Sequence, residues 1–207
     1  LPGSISPVLT VLTIVLLTAF VGRFGEEALA GYGIGSRIEF LIIPLVFGIG
    51  ATMTSLVGIG VGAGDLQRAE TIGWVGGFGA ALVAGMIGLV LALFPSAWIP
   101  YFTSDPVVYD TARSFIQIVG PCFSFYGLGL VLYFGSQGAS AMRWPVIALC
   151  LRCVVAIGGA ITLMSHTDLA LQSVFYAAAT SMLIYGLTMM GALKLGAWRV
   201  SGVTNGN

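Results

Sequence analysis

Three ionisable side chains, Arg37, Glu39 and Arg152, fall inside stretches of this 207-residue chain whose other residues suit an apolar environment. A charge held in hydrocarbon costs on the order of 3 kcal/mol or more, so each marks an ion pathway, a counter-ion or an interface. Arg37 and Glu39 are two residues apart, about 200° around a helix, and therefore need separate partners. Either they snorkel to a membrane surface, or one or both face a water-filled cavity. Arg152 lies two turns into its own helix near the opposite surface, where snorkelling or pairing with a lipid phosphate is expected. Gln117, Tyr126 and Gln137 add neutral polar groups that either line a cavity or bond across helices.

Two other chemistries are suggested by spacing. Cys150 and Cys153 form a CxxC, but on a helix this is one turn, and no second cysteine or histidine pair lies near it for zinc or redox work. With Cys122 the cysteines number three, and they read as buried thiols that pack as small hydrophobes. Ser136, followed by Gly138, and the single His166 would be the candidate nucleophile and base of an intramembrane hydrolase of rhomboid type. His166 is expected in a loop, which gives that pair poor geometry.

The elements that carry these residues follow from where charge is missing. Eight basic and eight acidic residues sit almost wholly in the gaps between six uncharged runs. The runs are Leu1 to Gly22, Phe40 to Gly64, Thr71 to Ser104, Ser114 to Met142, a fifth interrupted by Arg152, and Leu169 to Leu193. About 20 apolar residues let a helix cross the hydrocarbon of a bilayer, which offers no water to backbone polar groups. The expected fold is therefore all-α, a polytopic membrane protein with six transmembrane helices. Charged residues at 8% and apolar residues at 57% could not clothe a water-soluble domain. Zero net charge leaves no basic field for nucleic acid.

Helices are predicted over Ser6–Val21, Leu29–Val61, Thr71–Phe94, Val107–Phe134, Pro145–Leu163 and Leu171–Leu193. Pro145 suits a first helical turn, whereas Pro44 and Pro121 lie deeper and predict kinks. The segment from Pro95 to Pro106, with Trp98 and Tyr101, is expected to lie along a membrane surface, anchored by aromatics. Among 30 glycines, Gly31 with Gly35, Gly58 with Gly62, Gly60 with Gly64, Gly73 with Gly77, and Gly127 with Gly129 have spacings that let helices approach closely. With both ends on one side, Arg68, Arg143, Lys194 and Arg199 face Arg23, Arg37 and Arg113, and this balance places the termini in the cytoplasm. Residues 1–193 then form one membrane lobe and residues 194–207 a cytoplasmic tail that frays. The chain opens on Leu1, with no basic segment before its first run, so an N-terminal part is expected to be missing.

The stretch from Ala28 to Leu41 contains Gly-Tyr-Gly-Ile-Gly-Ser-Arg37-Ile-Glu39. Pro44, a glycine-bearing run from Gly48 to Gly60, and then Gly62-Ala-Gly-Asp65-Leu-Gln-Arg68-Ala-Glu follow it. Together these resemble the multidrug and toxic compound extrusion (MATE) transporters, most closely their DNA-damage-inducible branch. They correspond to the eighth helix of a twelve-helix protein and the loop after it, and Gly135-Ser-Gln137-Gly138 resembles the tenth helix. The resemblance implies that this chain is the second six-helix lobe of a two-lobed antiporter. Such a protein exports cationic or amphiphilic compounds by alternating access in exchange for H+ or Na+, and needs no cofactor. Its partners would be the substrate, membrane lipid and an N-terminal lobe absent from this chain.

One departure matters. Many relatives carry a glutamate in the first helix of this lobe and an aspartate in its fourth, but no acid occurs here from Leu1 to Arg23 or from Phe115 to Met142. Gly127 stands at the aspartate position. In the branch resembled, coupling is associated with an aspartate of the other lobe, which leaves Glu39 as this lobe's one candidate coupling acid. Glu39→Gln is then expected to weaken transport more than folding. A lipid or lipid-linked oligosaccharide flippase of the same superfamily is the alternative, although it would need more basic cavity residues than Arg37. A channel is disfavoured because no filter sequence is present.

Overall fold

The computed structural model describes residues 2–166 and 170–199, and among them there is helix and no strand. Seven α-helices follow in order: α1 (Pro2–Gly22), α2 (Glu26–Gly62), α3 (Leu66–Leu93), α4 (Pro106–Val119), α5 (Phe123–Gly138), α6 (Arg143–His166) and α7 (Leu171–Lys194). A 3₁₀ turn, Gly120–Cys122, joins α4 to α5, so the two make one span, and six spans traverse the lobe. Five spans are long and apolar enough to cross a bilayer, and α1 adds a shorter apolar helix. The predicted spans are therefore present. The largest boundary difference is at α3, which begins five residues before the predicted start at Thr71; α1 begins four residues before Ser6, and the fourth span ends four residues after Phe134.

Charge in the gaps has a local structural use. Asp65 caps α3 by accepting the Arg68 amide at 3.0 Å, and Asp105 caps α4 by accepting the Val107 and Val108 amides at 2.8 and 3.1 Å. Each carboxylate satisfies N–H groups that a first helical turn leaves without intrahelical partners. Gly64 precedes the Asp65 cap with φ of 76°, a left-handed conformation that glycine takes without a steric penalty. Both Gly62 and Gly64 have open space where a Cβ would stand, so their spacing serves a turn rather than a helix contact.

Packing inverts the rule for water-soluble proteins. α3 buries only Ala69, Gly73, Gly77, Ala80, Ala84, Gly88 and Ala92, a seam three or four residues apart. Its large side chains, Val75, Phe78, Leu82, Met86, Leu89 and Leu93, point outward. Small residues inside and large apolar residues outside are the arrangement for a helix that faces lipid and packs closely on protein. The seam meets α5, α2 and the Gly120–Cys122 turn. α2 is central, and its buried stripe Gly31, Gly35, Ile38, Ile42, Val46, Gly50, Met53, Val57, Gly60 packs on α3, α4 and α5. Gly31 and Gly35 lie against Thr111 and Phe115, Gly127 lies against Ala80 and Ala84, and Gly129 lies against Tyr185.

The two deep prolines behave differently. α2 continues as helix through Pro44, whereas at Pro121 the span gives way to the 3₁₀ turn. At that turn the backbones of Gly88 and Gly120 meet so closely that a Cβ on Gly88 would run into the Gly120 carbonyl. Backbone cannot rotate away as a flexible side chain can, so Gly88→Ala is expected to cost about 1–3 kcal/mol in unfolding of the full-length protein in detergent. Gly79→Ala, which meets nothing within 4 Å, is the control and is expected to be neutral or slightly stabilising.

The connection from Pro95 to Pro106 is two 3₁₀ turns, Pro95–Ala97 and Ile99–Tyr101. Tyr101 is exposed, whereas Trp98 folds onto the lobe and donates its indole N–H to the Ile34 carbonyl of α2 at 3.2 Å. At the opposite end the tail does not fray at once after α7. Residues 195–199 turn back, burying Trp198, and Arg199 forms two hydrogen bonds with Glu70 at 2.6 and 2.8 Å. The reason is a slot of the right shape: Gly73 of α3 and Gly135 of α5 leave room that the Trp198 ring fills. Residues 200–207 of the predicted tail lie outside the described residues.

Candidate functional site

Arg152 corrects its expectation most clearly. It does not snorkel or reach a lipid headgroup; its side chain is only 5% exposed, and Nη2 lies 3.4 Å from Oε1 of Glu39, itself 13% exposed. A guanidinium inside an apolar lobe needs a counter-charge more than it needs the nearest interface, and among the described residues Glu39 is the acid within reach. The contact is single and long, an ion pair rather than a bidentate clamp.

Aromatic rings complete the setting. The Arg152 guanidinium carbon lies 4.7 Å from the Tyr126 ring centre and 5.8 Å from that of Tyr185, close enough for cation–π attraction to compensate part of the lost hydration. Tyr185 donates its hydroxyl to the Gly129 carbonyl at 3.3 Å, an approach possible because Gly129 has no side chain. Tyr32 packs edge-on against Phe115 at 5.3 Å and parallel to Phe175 at 6.5 Å, closing the site on the side of α4 and α7. Four helices thus supply the charged and aromatic groups: α2 Tyr32 and Glu39, α5 Tyr126, α6 Arg152 and α7 Tyr185. Glu39 is thirteen residues into a 37-residue helix, roughly 20 Å from its start at 1.5 Å per residue, well away from either end.

Beside the pair is a small enclosed cavity of about 20 Å³, bounded by Thr13, Leu17, Tyr32, Glu39, Arg152 and Ser181 among others. Arg152 Nε is buried without a hydrogen-bond partner. A second concavity, about 540 Å³ and open, lies between the start of α4 and the start of α7, with Asp110, Thr111, Ser114 and Gln172 on its walls.

The structure brings together two of the five sequence candidates, Glu39 and Tyr126, and does so through Arg152. Arg37 stands on the opposite face of α2, as the 200° offset requires, exposed, with its guanidinium 4.9 Å from the Phe102 ring centre. Gln117 on α4 and Gln137 in the last turn of α5 are exposed. Sequence reasoning misses Tyr185 and Tyr32 because a tyrosine in an apolar run looks like core. The pairing of Glu39 with Arg152 does have a signal: after the exposed Arg37, they are the remaining opposite charges within spans.

The hydrolase pair is not assembled. Ser136 donates to the Leu132 carbonyl at 2.8 Å and accepts the Trp198 indole N–H at 3.0 Å. His166 ends α6 rather than lying in a loop, and α6 starts from the Ser136 end and runs 24 residues away, roughly 36 Å. Cys150 and Cys153 share one helix, the first exposed and the second buried, and no group of metal-binding residues occurs among the described residues.

Comparison with known proteins agrees with this architecture. A protein named as probable multidrug resistance protein NorM of Thermotoga maritima is 33% identical over 102 residues, 49% of this chain and 22% of that protein. A FAD transporter of Shewanella oneidensis is 24% identical over 148 residues, 72% of this chain and 32% of that protein. Among solved structures, the MATE transporter ClbM in complex with Rb+ superposes with a TM-score of 0.87 at 19% identity, over 96% of this chain and 47% of that one. The chain thus spans less than half the length of these relatives, the proportion of one lobe. The family described as MatE matches residues 2–162, more than three-quarters of the chain, and this protein is a multi-pass membrane protein that belongs to that family of transporters, not of enzymes.

Proposed function

We propose that this chain is the C-terminal six-helix lobe of a secondary multidrug efflux antiporter in a bacterial inner membrane. The whole protein would export cationic or amphiphilic compounds in exchange for H+ or Na+ by alternating access, its ends facing the cytoplasm. The observation that carries this is the match of nearly the whole chain to less than half of a MATE transporter. The build of the lobe supports it: small-residue seams hold the helices as one body, and Glu39 and Arg152 are closed inside it. A lobe with its charges satisfied internally can rock against a partner lobe without exposing them to lipid.

Arg37, Gln117 and Gln137 are exposed polar groups available to a substrate path, with Glu39 and Tyr126 supporting from behind. A second reading is favoured by Arg37. An exposed guanidinium resting on an aromatic ring suits a phosphate-bearing substrate, and one relative is named as a FAD transporter. The lipid-linked flippase alternative would use the same group.

The test is accumulation of a cationic fluorescent dye in efflux-deficient cells expressing the full-length protein. Lower accumulation is expected, and it should be reversed when the proton or sodium gradient is collapsed. Unchanged accumulation with the protein confirmed in the membrane would overturn the proposal. Arg37→Ala is expected to change cationic dye efflux only modestly under the first reading, where Arg37 is one of several polar groups on the path, and to abolish flavin nucleotide transport under the second.

A further inference from the structure

The walls of the small cavity beside the ion pair are rich in oxygen acceptors. Thr13 donates its hydroxyl proton to the Leu9 carbonyl at 2.8 Å and Ser181 donates its own to the Ala178 carbonyl at 2.7 Å. Both hydroxyl oxygens therefore offer lone pairs rather than protons, and Glu39 lines the same small cavity as Thr13 of α1 and Ser181 of α7. An acidic oxygen flanked by neutral oxygens is a donor set for a small hard cation. The cation that lies there belongs to the chain: the Arg152 guanidinium, 3.4 Å from Glu39.

The geometry points to Arg152 as a tethered counter-cation. It occupies in covalent form the place beside Glu39 that a monovalent ion would otherwise fill, so this lobe carries its charge compensation through the transport cycle without exchanging it. Three observations converge. Arginine stays protonated at any pH the cell reaches, so it cannot leave by losing its proton. The cavity left over, about 20 Å³, has room for about one water and none for a hydrated ion or a substrate. The Nε–H of Arg152 is buried without a hydrogen-bond partner, and one water, the most this space could hold, would give it an acceptor. Groups facing the pair from the helices packed around it are Thr13 of α1, Tyr32 of α2, Phe115 of α4, Tyr126 of α5, and Ser181 and Tyr185 of α7. None is a second carboxylate or a second cation; the titratable ones are the three tyrosines, neutral phenols in the pH range of the cell. The one candidate coupling acid of this lobe is thereby occupied.

The inference rests on the transporter function proposed above, yet its test needs no transport, so a failed efflux assay and a failed ion response are distinguishable. Thermal melting of the purified full-length transporter is measured in sodium against choline chloride, and across a range of pH. Wild type, Arg152→Met and the double variant Glu39→Gln with Arg152→Met are compared. Arg152→Met is expected to melt lower and to regain several degrees on adding Na+ or on acidification, beyond any response of the double variant. Wild type is expected to respond as the double variant does, since neither presents a free carboxylate. An Arg152→Met response no larger than that of the double variant would overturn the inference. A wild-type response larger than that of the double variant would also do so, because Glu39 would then exchange an ion with Arg152 in place. If Arg152→Met does not fold, that wild-type comparison decides alone.

Discussion

Arg152→Met is expected to destabilise the full-length transporter by about 3–5 kcal/mol, the loss that follows when one member of a buried ion pair is removed and the other is left uncompensated. Glu39 would remain only 13% exposed, beside a small cavity walled by α1, α2, α4, α6 and α7 that water barely reaches. The double variant with Glu39→Gln is expected to recover most of the loss, because two neutral side chains of similar volume remove both desolvation penalties. Reversible unfolding in mixed micelles of the wild type, both single variants and the double variant measures the coupling directly. Losses that simply add would mean that the 3.4 Å contact contributes nothing. The pair also changes what Glu39→Gln is expected to show: a folding cost accompanies any transport cost, because the substitution leaves a guanidinium without its charge partner. Transport by Glu39→Gln must therefore be normalised to folded protein in the membrane.

Trp198→Ala is the second large effect, expected at about 3–5 kcal/mol, the range for emptying a fully enclosed aromatic site. The indole is 1% exposed and fills the space left by Gly73 and Gly135. Its N–H reaches the Ser136 hydroxyl at 3.0 Å. Trp198→Phe keeps most of the packing and is expected to lose about 1 kcal/mol, one neutral hydrogen bond. The exposed contact of Arg199 with Glu70 beside it should matter far less, since solvent screens it. Melting of the four proteins, wild type, Trp198→Ala, Trp198→Phe and Arg199→Ala, gives the ranking. A loss for Arg199→Ala equal to that for Trp198→Ala would show that the closing segment is held by charge rather than by packing.

Several features are legible in the order of residues alone. The absence of charge over runs of about 20 residues marks the spans, because a bilayer excludes charge almost independently of which way a side chain points. Charges concentrated in the gaps coincide with helix starts, and Asp65 and Asp105 show why: a helix start emerging from lipid needs acceptors for its free amides. The missing acid in the first helix and in the fourth span is also readable, since a residue type is either present or not.

Which face of each helix turns inward is not legible in that way. In a water-soluble helix the apolar stripe announces the core, but these helices are apolar all round, so the pattern that reveals orientation is weak. Arg152 accordingly reads as belonging to a surface that it does not reach, and Tyr185 and Tyr32 do not stand out. Trp198 looks like part of a polar tail because its slot is formed by the absence of side chains at Gly73 and Gly135, and an absence 62 or more residues away leaves no local mark.

The sequence by itself determined that the chain crosses a membrane six times, roughly where each crossing begins, and that few charges could ever meet inside, since these depend only on the local cost of placing a group in hydrocarbon. Only the tertiary structure decided that Glu39 and Arg152, 113 residues apart, satisfy each other. That outcome depends on how α2 and α6 rotate about their axes. Packing between small and large side chains sets that rotation, not the preference of any one residue for lipid or water.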